Sequence, residues 1–151
     1  EVTNIGMKFT TVAMESLEQT SGQRVFIGYS NVSASVTLSA DDPSSAHLFG
    51  FQQRAGDTNW FVCTKDSSTL SRVDTGVAVS TDVIKLIWYS DGAGTVLKWA
   101  IRSYANVDLG TGTLDTNLPG ATTNMKFISG LEATEAAVKQ IRHYRAREVT
   151  E

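Results

Sequence analysis

Apolar residues recur along this chain in short runs, each bounded by clusters of Gly, Ser, Asp, Asn and Thr. Strand-length runs with turn signals between them predict an all-β sandwich or barrel. The runs are "MKFTTVA" (7–13), "RVFIGYS" (24–30), "AHLFGFQQ" (46–53), "WFVCTK" (60–65), "STLSRVD" (68–74), "DVIKLIWYS" (82–90), "TVLKWAIRS" (95–103) and "NMKFISG" (124–130). Pro43 and Pro119 both fall between runs, where a missing N–H is harmless. Residues 82–103 give the sharpest local prediction, a hairpin turning at Asp91-Gly92-Ala93-Gly94. Ile84, Leu86 and Trp88 share one face of its first strand, and Leu97, Trp99 and Ile101 share one face of the second. Pairing Ser90 with Thr95 makes the two apolar faces coincide, with Trp88 opposite Leu97 and Leu86 opposite Trp99. Lys85, Ile87, Tyr89, Val96, Lys98, Ala100 and Arg102 form the other face, which is either a solvated surface or the lining of a groove or subunit contact.

Length and charge narrow the class. A chain of 151 residues is expected to form one domain over 1–151. With net charge −3, and Lys and Arg scattered until the last dozen residues, it lacks the basic stripe of a nucleic-acid module. No run is long and apolar enough to insert in a membrane. Cys63 is the single cysteine, so no internal disulfide forms, and an apolar strand context makes it a buried hydrophobe rather than a nucleophile. The chain opens at Glu1 without a signal-peptide pattern, which suggests a segment of a longer polypeptide.

Catalytic chemistry finds little support in the motifs. A glycosidase needs two carboxylates flanking the scissile bond, and no two acids lie two apart within a convincing strand. Asp41 and Asp42 are adjacent and precede Pro43, and Glu132 and Glu135 are three apart. No G-x-S-x-G elbow is present, and His47 and His143 are far apart in strand-like contexts. Asp41, Asp42 and the hydroxyls of "SADDPSSA" could ligate calcium, although an Asx-Pro turn explains them equally simply and is preferred. "NVS" at Asn31 matches a glycosylation acceptor. The expectation is a non-enzymatic domain with no metal and no cofactor.

The succession "RVFIGYSN", "SSAHLFGFQQRAGDTNWFVCTKDSSTLSRVDTGVAV", the 83–103 hairpin and "TNLPGATTNMKFISGLEA" resembles the concanavalin A-like (lectin/glucanase-type) jelly-roll domains of bacteriophage tail-fibre, tail-spike and head-fibre proteins. The similarity runs from about Lys8 to the C-terminus. It implies a two-sheet antiparallel jelly-roll sandwich, displayed on the virion surface after synthesis in the host bacterial cytoplasm. It further implies a homotrimer in contact with other virion proteins and binding host-surface glycan for attachment. The alternatives are an architectural head-fibre or capsid-decoration domain without a glycan site, and a bacterial carbohydrate-binding or carbohydrate-active module.

Two local expectations follow from that fold. In "WFVCTK", Trp60, Val62 and Thr64 share one face and Phe61 and Cys63 the other. Placing Phe61 and Cys63 inward leaves Trp60 near the loop, able to stack on a sugar. The glycan site expected there comprises Trp60, Asp57 and Asn59, with Gln53 and Arg54 from the preceding strand end. The C-terminal "LEATEAAVKQIRHYRARE" (131–148) has helical propensity and spacing, with Ala133, Ala137, Ile141 and Tyr144 on one stripe. The jelly-roll resemblance instead implies a strand from about Val138 to Glu148, returning beside the N-terminal strand, with 131–136 as its approach. On that strand Gln140, Arg142, Tyr144 and Ala146 share one face and Ile141, His143 and Arg145 the other. The strand is preferred because tertiary pairing overrides propensities of fractions of a kcal/mol.

Overall fold

A computed structural model of the chain describes residues 2–3, 9–32, 37–38 and 41–150. Its strands are β1 (Val2–Thr3), β2 (Phe9–Leu17), β3 (Gln23–Ser30), β4 (His47–Gln53), β5 (Asn59–Asp66) and β6 (Thr69–Ala78). They continue as β7 (Ile84–Ser90), β8 (Leu97–Ser103), β9 (Asp108–Leu114), β10 (Met125–Ala133) and β11 (Ile141–Thr150). Two antiparallel sheets result, ordered β1-β10-β3-β4-β5-β6 and β11-β2-β7-β8-β9. The fold is the expected all-β jelly-roll sandwich. The start of the first sequence run (Met7, Lys8) and Ser33 of the glycosylation pattern lie outside the described residues.

Alternation along β7 and β8 builds the core. Ile84, Leu86, Trp88, Leu97, Trp99 and Ile101 all face the opposite sheet and are buried. From that sheet Val25, Ile27, Tyr29, Phe49, Phe51, Trp60 and Val62 meet them. Phe51 lies tilted on Trp88 at 4.9 Å and edge-on to Trp99 at 6.1 Å between ring centroids, the offset geometry that aromatic quadrupoles favour.

The hairpin forms with the expected faces but a different register. Ser90 pairs with Leu97, so Trp88 lies opposite Trp99, Leu86 opposite Ile101 and Ile84 opposite Ser103. The carboxylate of Asp91 is the cause. It accepts from the Thr95 N–H (3.0 Å) and the Thr95 hydroxyl, while the Asp91 N–H donates to Val96 O (3.2 Å). Gly92 and Gly94 supply the positive φ values of this wider loop. A shift of two residues keeps every side chain on its face, which is why the burial pattern survives the error.

Trp60 and Phe61 are the reverse of expectation. Trp60 and Val62 point into the sandwich, while Cys63 faces outward, yet all three are buried. The outer face of the six-stranded sheet is not wet: Phe26, Leu48 and Cys63 form a second apolar cluster there, covered by Leu38 from the β3–β4 connection and flanked by Val32 and Leu70. An outward Cys63 therefore costs no exposed apolar surface, and the larger Trp60 fills the main core. Burial pushes the Cys63 thiol up to about 12, where it is unreactive.

The C-terminal segment is a strand. β11 pairs antiparallel with β2 from Ile141 opposite Leu17 to Thr150 opposite Phe9. Its approach is displaced along the chain: Leu131–Ala133 belong to β10, paired with Gln23–Val25 of β3, and the strand begins at Ile141 rather than Val138, so the connection is 134–140. Lys139 anchors the intervening loop by donating to Gln19 Oε1 (2.6 Å), Ser21 O (2.7 Å) and Glu135. The register shifts between His143 and Arg145, so Tyr144 is a bulge residue and the simple alternation expected there ends. The faces expected for Arg145 and Ala146 fall outside the described side chains.

Candidate functional site

The sequence-predicted site is assembled only in part. Trp60 is 1% exposed and offers no face to a ligand, so its role as a sugar platform is corrected to that of a core residue. Gln53 is also buried; it accepts from Gln23 Nε2 (3.2 Å) and donates to Thr20 O (2.6 Å) at the end of the sandwich. Asp57 accepts from the Arg54 N–H (2.6 Å) and pairs with Arg72, whose Nε donates to Gln52 Oε1 (2.8 Å) and whose guanidinium lies 3.4 Å over the Phe61 ring. Arg54 pairs with Asp42, and Asn59 donates to both oxygens of Asp74 (3.1 and 3.2 Å). Asp41 pairs with Arg24 at 3.0 Å, so both acids of "DDP" hold the outer-face connection through arginines. Of the five predicted residues, Asp57 alone lines the neighbouring cleft of about 250 Å³, with Thr20, Ser21 and Thr58. The polar atoms of this region mainly bind each other.

A larger groove, about 660 Å³, opens at one end of the sandwich. Tyr104, Leu109 and Tyr144 line it together with Ser80, Asp82 and Ser103. Two of the three large side chains come from irregularities in the strands and the third from a turn. Tyr144 is the β11 bulge; Leu109 is skipped where Ile101 pairs Gly110 and Arg102 pairs Asp108. Tyr104 rides the turn closed by Ser103 N–H to Val107 O (2.9 Å) and Asn106 N–H to Ser103 O (3.0 Å), with Asn106 at φ 66°. Bulges re-aim side chains that regular pleating would send elsewhere. The tyrosines are 67% and 53% exposed, so both rings are presented to solvent. Ser80 and Asp82 are already oriented, the Asp82 N–H donating to Ser80 Oγ (3.2 Å) and Ser80 Oγ to Asp82 (3.3 Å). Two exposed rings beside fixed hydroxyl and carboxylate groups can stack on a flat polar ligand and orient it.

Sequence reasoning passed over this groove because its aromatics come from a turn after β8 and a mid-strand bulge. The "SYAN" turn, an aromatic flanked by turn formers, was the available signal.

A buried acid lies in the same region of the five-stranded sheet. Glu15 is 1% exposed and pairs in register with Ile84, which lines the groove, and with His143, next in chain to Tyr144. Burial pushes its carboxyl up to about 8, so it is neutral at pH 7. His143 Nδ1 lies 2.6 Å from Glu15 Oε1, and desolvation lowers the pKa of that imidazole.

No family model matches the chain, and no curated protein matches it. Solved structures do. A protein of unknown function from Shewanella oneidensis MR-1 aligns at a TM-score of 0.67 and 12% identity, over 97% of this chain and 59% of that one. The CBM2 module of the evolved Dit of Lactobacillus casei BL23 phage J-1 aligns at 0.60 and 8% identity, over 95% and 61%. Sheep galectin-11 aligns at 0.59 and 10% identity, over 99% and 95%. The chain thus spans about three-fifths of the first two proteins and nearly all of the galectin. At these identities the likeness establishes the lectin-type jelly-roll fold.

Proposed function

We propose that this chain is a lectin-like carbohydrate-binding module whose sugar site is the end groove between Tyr104 and Tyr144. The carrying observation is the convergence of these two exposed rings on Ser80, Asp82 and Ser103 in one open groove. The reading is non-enzymatic. Hydrolysis of a glycosidic bond uses two carboxylates across the bond, and among the described residues the groove lining contains one acid, Asp82. Its setting in this proposal is a bacteriophage fibre or spike on the virion surface, assembled as a homotrimer and contacting host glycan. The sequence resemblance to phage fibre domains and the fold shared with the phage J-1 module support that setting. A glycan array probed with the isolated chain tests the reading: binding that weakens in Tyr104→Ala and Tyr144→Ala supports it. A blank array with folded protein leaves an architectural domain instead.

A further inference from the structure

The two outer faces of the sandwich differ in how their cations are arranged. On the six-stranded sheet each described arginine faces a carboxylate: Arg24 with Asp41 and Glu132, Arg54 with Asp42, and Arg72 with Asp57. Hydrophobic cover from Leu38 closes the same side. The five-stranded sheet pairs its described arginines too, Arg102 with Asp108 and Arg142 with Glu18, and differs in how its cations are stacked. Its register stacks three rungs on one face of β7 and β8: Lys85 opposite Arg102, Ile87 opposite Ala100, and Tyr89 opposite Lys98. Thr111 and Thr113 of β9 continue the outer two positions next to Ala100 and Lys98.

Two cations placed directly opposite each other in an antiparallel pair repel, so the Lys85–Arg102 rung needs negative charge nearby. Asp108 supplies one carboxylate, 2.5 Å from Arg102 Nε, in a pair where both side chains are largely exposed and water-screened. Lys85 donates to the neutral Asn106 side chain. Lys98 is exposed and has no carboxylate within ion-pair distance among the described residues. Three cations against one acid, in a chain of net charge −3, are a local surplus rather than a reflection of composition.

We infer that this open face reads negative charge, and that the ligand of the module is an acidic polysaccharide carrying carboxylate or sulfate groups. The inference rests on the carbohydrate-binding reading and gives the class of glycan. The face adjoins the groove: Lys85 Nζ lies 5.7 Å from the centre of the Tyr104 ring, so a chain leaving the groove past Tyr104 meets Lys85 and Arg102 first. Lys98 lies four residues further along β8, roughly 13 Å at strand rise. That separation suits a polymer with charges repeated along its length. Half-buried Ile87, Tyr89 and Ala100 form the floor between the cations, and an apolar floor strengthens charge contacts by limiting water.

The test is a titration of the full chain with polygalacturonate (carboxylate), heparin (sulfate), dextran (neutral) and a single-stranded oligonucleotide. The expected result is binding to one or both acidic polysaccharides, weakening as salt rises from about 50 to about 300 mM as screening shortens. Lys98→Ala and Arg102→Ala should each weaken it about tenfold, the usual scale for one charge-assisted contact, while Lys98→Arg retains it. Unfolding midpoints of the variants should match the parent, which separates lost binding from lost fold. Preference for dextran, or binding indifferent to salt and to both alanine variants, overturns the inference and leaves the carbohydrate-binding reading intact. Oligonucleotide binding equal to that of the polysaccharides also overturns it, since charge alone would then suffice. Failure to bind either acidic polysaccharide overturns the inference, while the carbohydrate-binding reading stands or falls on the glycan array.

Discussion

At the scale of single residues, burial decides which side chains act and which only hold the fold. Trp99 lies against Phe51 and beneath β9, where a Cβ on Gly112 would come within 2.7 Å of the indole ring. Trp99→Ala should lower stability by roughly 3–5 kcal/mol, the usual range for deleting a core aromatic. Gly112→Ala should cost about 1–3 kcal/mol by overpacking the same contact. Denaturant titration measures both, and a loss below about 1 kcal/mol for Trp99→Ala would contradict the core assignment. Glu15 makes a prediction in pH. Its folded pKa of about 8 lies above the ordinary 4.5, so its contribution is fully present below 4.5 and is lost as pH rises through 8. His143, with a lowered pKa, costs stability only as pH falls below its ordinary 6.5. Between 6.5 and 8 the Glu15 slope therefore stands alone of the two. The parent should weaken over that interval and Glu15→Gln should not; parallel losses in urea melts would place the titration elsewhere. Trp60 marks the limit of sequence reasoning at this scale. Its strand is apolar on both faces, so alternation could not say which face met water, and the covered outer surface of the sheet resolved the choice.

At the scale of elements, the hairpin was legible in its faces and not in its register. Alternation fixes which side chains point inward, but the length of the loop depends on Asp91 bonding to Thr95. Thr95 hydroxyl donation is also the leading reason that the Asp91 carboxyl is held below its ordinary pKa. Asp91→Ala should therefore speed amide exchange at Thr95 and Val96 and leave exchange across the Trp88–Trp99 pairing unchanged. Unchanged exchange at Thr95 would mean that the carboxylate does not hold the loop. β9, "DLGTGTL", was not legible, because it lacks an apolar alternation. Its glycines are required by tertiary contact: a Cβ at Gly110 would approach Val77 Cγ2 to 2.7 Å, where β9 meets β6. β11 was legible only once pairing was weighed against propensity, and its hydrogen-bonded partner β2 explains why the helical spacing of 131–148 is not realised.

At the scale of the whole molecule, the succession of short runs revealed the two-sheet architecture, while the end groove stayed hidden. Tyr144 is far in sequence from Tyr104 and Leu109, and the three meet because a turn and two bulges aim them at one place. No strand pattern encodes such a meeting. Of the residues expected to bind glycan, Asp57 and Arg54 instead pair with Arg72 and Asp42 and brace the six-stranded sheet, while Trp60 lies in the core. Sugar binding by the end groove is the property proposed for this fold. Its most direct measurement is the affinity of the chain and of Tyr104→Ala and Tyr144→Ala for a glycan selected on an array. Each substitution should weaken binding by about tenfold, the loss of one aromatic contact on the order of 1.4 kcal/mol, with the unfolding midpoint unchanged. A parent that binds glycan equally well without either tyrosine, or a folded parent that binds none, contradicts the proposal.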